Sequence, residues 1–322
     1  MLDLVIATCG FVVVVLVWMS VLRTTLIPRR SSSRMARWTA RACATGGAAL
    51  ASRLPGRLRN WVLDLCVPVS LFVMAAGWLS ALAVGFALLV VAVGGTWSGG
   101  SPVVDMNGAA VAVTVAAGAS AVLVAAAFAA YLVHFMDAYG RREGMIARWA
   151  TQVQRVTDAD VLVASHLRSG SRDSLDSYFA QWAGWLADIY NSHNSYPGLV
   201  YLRSAGQPGW PRAAMTVMDA AALVEAVAPR WAPLHARVLL NIGSCCLQCL
   251  ARRVGIELPV MTVSLQGREE RAFGDTMQLA IDSGLPAERD IDHAWMAFQE
   301  IRVRYAPYAA LIGSRADQHV ND

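Results

Sequence analysis

The stretch VPVSLFVMAAGWLSALAVGFALLVVAVG, residues 67–94, contains no charged side chain. A hydrocarbon core about 30 Å thick needs about 20 apolar residues in a helix to cross it. Residues 67–94 meet that length and predict a membrane span. Working outward, a second uncharged run follows at 109–136 after a short break, and a third precedes it at Leu4–Leu22. The two later runs exceed the minimum, so tilt or extension beyond the bilayer is expected. The fold class read from this pattern is all-α, with three transmembrane helices followed by a cytoplasmic helical bundle.

The first run opens on Met-Leu-Asp and is followed by Arg23, Pro28, Arg29 and Arg30. A cleaved leader carries its positive charge first and ends in small residues, so this is read as an uncleaved anchor. Arginine bias then sets the orientation. Residues 23–60 carry nine arginines and no acid, while 95–107 carry no arginine, and Arg141, Arg142 and Arg148 follow the third run. The N-terminus is expected outside the cell membrane and the C-terminal region in the cytoplasm. The chain has no lysine, and its net charge of +4 comes from the membrane part. That places the basic excess beside anionic headgroups and excludes a nucleic-acid footprint on the soluble part.

The expected organisation is a span at 1–22, a basic amphipathic loop at 23–60, a two-helix hairpin at 61–140 with a short external loop at 95–107, a helical domain at 141–312 and a disordered tail at 313–322. In the basic loop Arg34, Arg37 and Arg41 recur at helical spacing beside Trp38, a pattern suited to the membrane surface. Gly77, Ala81 and Gly85 form a ridge on the second span, and Thr114 and Gly118 form one on the third. Small ridges of this kind let helices approach closely in lipid, within one chain or between copies. No acid, lysine or arginine lies within the three runs, which excludes the ionisable pathways of pumps and voltage sensors.

From Arg141 onward the reading is helix after helix. Leu175, Phe179, Trp182, Leu186, Ile189 and His193 fall on one face of a helix by their spacing. Cys245, Cys246 and Cys249 put three thiols within five residues. They form a weak metal candidate, with His235 as a fourth ligand. No second cysteine pair lies nearby in the domain, and the helix around them is apolar, which favours core packing. His193 and Tyr196 with Asp219 or Glu225 could compose a catalytic set, but no spacing places them together. Nucleotide, metalloprotease and hydrolase motifs are absent. No enzyme and no cofactor is expected.

Several stretches resemble a known family along the whole chain. They are Leu22-Arg-Thr-Thr-Leu-Ile-Pro-Arg-Arg, Val67-Pro-Val-Ser-Leu, Arg141-Arg-Glu, Ser192-His-Asn-Ser-Tyr-Pro, Tyr201-Leu-Arg-Ser, Met218-Asp-Ala-Ala-Ala-Leu, Leu285-Pro-Ala-Glu-Arg-Asp and Trp295 to Tyr305. The chain resembles bacterial membrane proteins of the potassium channel family, of the two-transmembrane or two-pore-domain type, with an added first span and a helical cytoplasmic domain. Within those motifs His193, Tyr196, Pro197, Arg203 and Asp219 are the family-like cytoplasmic residues. The resemblance implies a re-entrant pore helix and a filter of backbone carbonyls. Residues 95–107 contain no such filter, and thirteen residues cannot hold a pore helix, a filter and a return strand. The expected function is a non-conducting, membrane-anchored interaction or regulatory protein. Its partners would be the anionic bilayer and another copy or a channel-like protein. The alternative is a self-assembled channel without the usual filter, lined by Thr114 and Ser120.

Overall fold

The computed structural model describes residues 1–25, 42, 45–47, 49–50, 53–98, 101–104, 107–152, 158–169, 171–202, 204, 209–255 and 268–317. Arg34, Arg37, Trp38 and Arg41 of the surface-helix reading, and Arg203 of the family-like motif, lie outside the described residues.

The chain divides into two compact units. One is Met1–Ala138 with Asn194–Leu202, and the other is Tyr139–His193 with Arg203–Asp322. The expected boundary at 140/141 therefore moves to 138/139, inside a helix. A nine-residue segment read as part of the cytoplasmic domain belongs with the membrane helices instead.

The first unit holds α1 (Leu2–Thr25) and α2 (Gly56–Gly94). Strands β1 (Gly95–Ser98) and β2 (Ser101–Val104) follow, and α3 starts at Gly108 and runs to Gln152. At 1.5 Å per residue α3 is about 67 Å long, so it extends far past a hydrocarbon core. Phe11, Leu16, Phe72, Val115, Val122 and Val133 are all exposed on these helices. Apolar exposure on that scale suits lipid and not water. The protein is membrane-associated.

Among the described residues four helices are long and apolar enough to cross a membrane, one more than the three read from sequence: Leu2–Thr25, Asp64–Gly94, Gly108–Thr151 and Leu234–Arg253. The fourth differs in one respect. Protein buries 44% of its most apolar window, against 17%, 17% and 6% for the others.

Helices α1 and α2 pair antiparallel, since Gly10 meets Gly85 and Ser20 meets Trp78. A Cβ on Gly10 would lie 2.7 Å from the Gly85 carbonyl oxygen, and one on Gly85 would lie 2.9 Å from Val14. Two glycines thus allow backbone to touch backbone. The Trp78 indole donates to the Ser20 hydroxyl at 3.1 Å, which satisfies a polar N–H buried to 1% exposure. Gly10→Ala should therefore force the helices apart, at a cost of about 1–3 kcal/mol. Gly118→Ala should not, because nothing lies within 4 Å of its added methyl. Denaturation in SDS, followed by circular dichroism, checks the contrast: equal midpoints for the two variants would contradict this contact.

Among the described residues the second unit contains the end of α3 and seven further helices: α4 (Ala159–Ser169), α5 (Arg172–Ser195), α6 (Trp210–Val227), α7 (Leu234–Val254), α8 (Arg268–Asp282), α9 (Ile291–Arg302) and α10 (Ala306–Asp317). The last two residues of α5, Asn194 and Ser195, fall in the first unit. Helix α6 is the centre, packed by α4, α7, α9 and α10. Its alanines 213, 214, 220, 221, 222 and 226 are all buried, as expected for a helix apolar on every side. The six residues read as one face of α5 are buried as well. Helix α7 ends on Gly255 at φ 71°, the left-handed stop that glycine adopts without strain. The tail read as disordered from residue 313 is helical to Asp317. Ala309 and Ile312 bury the face of α10, and the Gly313 position lies within 4 Å of Pro211. Packing against α6 holds a segment that composition alone reads as frayed.

Candidate functional site

The link between α2 and α3 is where the sequence reading expects no filter. Within residues 95–107, read as a short loop, 95–98 and 101–104 pair as antiparallel strands. Gly95 pairs with Val104, and Ser98 with Ser101. Gly99-Gly100 between strand-forming residues is a two-residue hairpin signal that the sequence reading passed over. Asn107 closes the link. Its side-chain oxygen accepts from the Ala110 N–H at 2.8 Å and caps α3. Its amide donates to the Val93 carbonyl at 3.1 Å and ties α3 to the end of α2. Helix passes to strand, strand to strand, and strand to helix, with at most three residues between each pair of elements.

Away from that link, the segment Asn194–Leu202 folds against α2 near Val67 and against α3 near Tyr131 and Phe135. Pro197–Val200 forms one 3₁₀ turn, with the proline preset for that backbone. Tyr196 sets its ring edgewise to Tyr131 at 5.3 Å and to Phe135 at 6.1 Å. Gly198 brings its backbone close, and a Cβ there would touch Phe135 at 3.4 Å and Val67 at 3.6 Å. Tyr196 and Pro197, picked out by the family-like motif, thus serve as packing residues of the membrane unit. Beside them lies an open cleft of about 70 Å³ lined by apolar residues, among them Val67, Leu71, Phe72, Phe128, Phe135 and Leu202. It lacks the convergent polar groups of a substrate site.

The small-residue ridges have separate fates. Gly85 is buried in the contact with Gly10, while Gly77 and Ala81 are half-buried. Thr114 and Gly118 are exposed, and the Thr114 hydroxyl turns back to its own helix at the Ala110 carbonyl.

In the second unit the imagined catalytic set does not assemble. His193 is fully buried, with its Nδ1 2.9 Å from the Ile189 carbonyl. A carbonyl can only accept, so Nδ1 carries the proton. Nε2 is buried without a partner, and the ring faces Trp210 at 5.7 Å. Burial, reinforced by the Arg142 charge, pushes the imidazole down to about 3. A neutral histidine with no exposed face has no substrate to serve. Asp219 accepts from the Tyr305 hydroxyl at 2.6 Å and from Arg302 at 3.1 Å. Burial raises its carboxyl, with Arg302 and Tyr305 pulling the other way. Glu225 binds Arg237. The partners of Asp219 lie 83 and 86 residues away in the chain, beyond what spacing in the sequence can show.

His235 is occupied too, its Nδ1 2.7 Å from Asp176. That removes the imagined fourth ligand of the cysteine set. Cys246 is buried, and burial raises its thiol far above the usual range. Cys245 is exposed and Cys249 half-buried. Among the described residues no group of three histidine, cysteine or acidic side chains is placed to hold a metal.

No protein-family model, curated protein or solved structure matches the chain.

Proposed function

We propose that this protein is a non-conducting, multi-pass membrane protein of potassium-channel-like architecture. Its second unit acts as an interaction or regulatory module on the cytoplasmic side. The observation that carries the reading is the tight hairpin with its Asn107 clamp. A filter replaces an ion's hydration shell with a ring of backbone carbonyls. Here residues 95–98 and 101–104 pair strand to strand, which supports a link too short for a pore helix and filter.

Three spans fit better than four. The Leu234–Arg253 window is far more covered by protein than the other three, and α7 packs on α6 and α10. With α7 in the second unit, the arginine bias of residues 23–59 and 141–148 puts the N-terminus outside and the second unit inside. Anionic headgroups are the partner for those arginines. A second copy or a channel-like protein is the partner for the module.

Purified protein reconstituted alone in liposomes should pass potassium no faster than empty liposomes. Potassium-selective flux from the protein alone would overturn this reading. It would favour instead a self-assembled pathway along α3, past Thr114 and Ser120.

A further inference from the structure

The three cysteines of α7 stand on two sides of the helix. One step along a helix turns about 100°, and four steps turn about 40° beyond a full circle. Cys245 and Cys249 therefore share a stripe that Cys246 does not. Their surroundings agree: Cys245 is exposed, Cys249 half-buried and Cys246 buried. The Cys249 thiol, one turn along the same stripe, lies close enough to Cys245 to raise its thiol. Gln248 beside them donates its amide to the Arg304 carbonyl at 2.9 Å, which secures this turn of α7 to the chain beyond α9. Arg252 lies three residues past Cys249 on the same stripe and is exposed.

We propose that Cys245 and Cys249 form a binding site for one soft, two-coordinate metal ion of the copper(I) or silver(I) class. Soft thiolates select such ions over hard ones. Structural zinc needs four ligands in a tetrahedron, and the described residues bring no third ligand to this pair. Two thiolates complete the shell of a linear ion. Side chains four apart on a helix lie close enough to share one ion. On binding, each thiol releases its proton to solvent as its Sγ–metal bond forms, and no electron is transferred. The product of a monovalent ion and two thiolates carries one negative charge. Arg252 lies beside it to offset that charge, and already pulls the Cys245 thiol down against burial and Cys249, which raise it.

The test is copper(I) competition with bicinchoninate under anaerobic conditions, on the full chain in detergent. Wild type should bind one more copper(I) than Cys245→Ser, and Cys249→Ser should show the same whole loss, because one remaining thiolate does not hold the ion. Cys246→Ala should keep the ion, and X-ray absorption should find two sulfur ligands. Equal copper binding by wild type and Cys245→Ser would overturn the proposal. So would half-losses in each single variant, which mark independent thiols. Formation of a Cys245–Cys249 disulfide, seen by mass in place of a copper adduct, would also end it.

Discussion

At pH 4 the second unit should be less stable than at pH 7 by about 3 kcal/mol through His193 alone. An exposed imidazole in the unfolded chain takes up a proton near pH 6.5. In the folded unit the same ring stays neutral down to about 3, first because it is buried and second because Arg142 repels the new charge. The carbonyl of Ile189 opposes both only in part. Between about pH 6.5 and 3 the unfolded state therefore binds a proton that the folded state does not. Stability rises with pH across that window and falls as the solution is acidified. Chemical denaturation at pH 7 and pH 4 measures the difference. His193→Gln loses the titration and should flatten the difference by about 3 kcal/mol, whatever its own stability at pH 7. An unchanged pH dependence in the variant would mean that His193 is protonated in the fold.

Replacing Asp219 by alanine should cost the second unit about 3 kcal/mol. Asp219 on α6 receives the Tyr305 hydroxyl between α9 and α10, and Arg302 at the end of α9. Tyr305 is fully buried, so its hydroxyl would be stranded without a partner. Arg302 is partly exposed and can turn to water, which limits the loss on that side. Tyr305→Phe removes the stranded donor. A double-mutant cycle between the two should return a coupling of about 1–3 kcal/mol. Additive losses would show that the hydrogen bond contributes nothing to holding the C-terminal helices.

The long apolar helices were legible because their signal is local. Residues 4–22, 67–94 and 109–136 announce themselves by the absence of charge over enough length. The apolar face of α5 was legible for the same reason, as a period within one element. The short link was half legible. Its length and its lack of a filter were plain, but the strand pairing of 95–98 with 101–104 was overlooked in a chain otherwise helical. The fate of the small ridges was not legible. Gly85 and Gly118 look alike in sequence, yet one touches Gly10 and the other faces open space. A ridge states what a helix could pack, and only the neighbour decides whether it does.

The cysteine set shows the same division within a single turn. Spacing alone separates Cys246 from Cys245 and Cys249, but only packing on α7 says which side is buried. The sequence by itself located three long apolar runs and the buried face of α5, and showed that residues 95–107 carry no filter motif. The tertiary structure decided the partners: Trp78 with Ser20 across 58 residues, Asp219 with Tyr305 across 86, and residues 194–202 with α2 and α3. A periodic pattern shows that a side chain is covered. What covers it depends on where the chain returns, and that is settled by shape and hydrogen bonding between elements far apart in the chain.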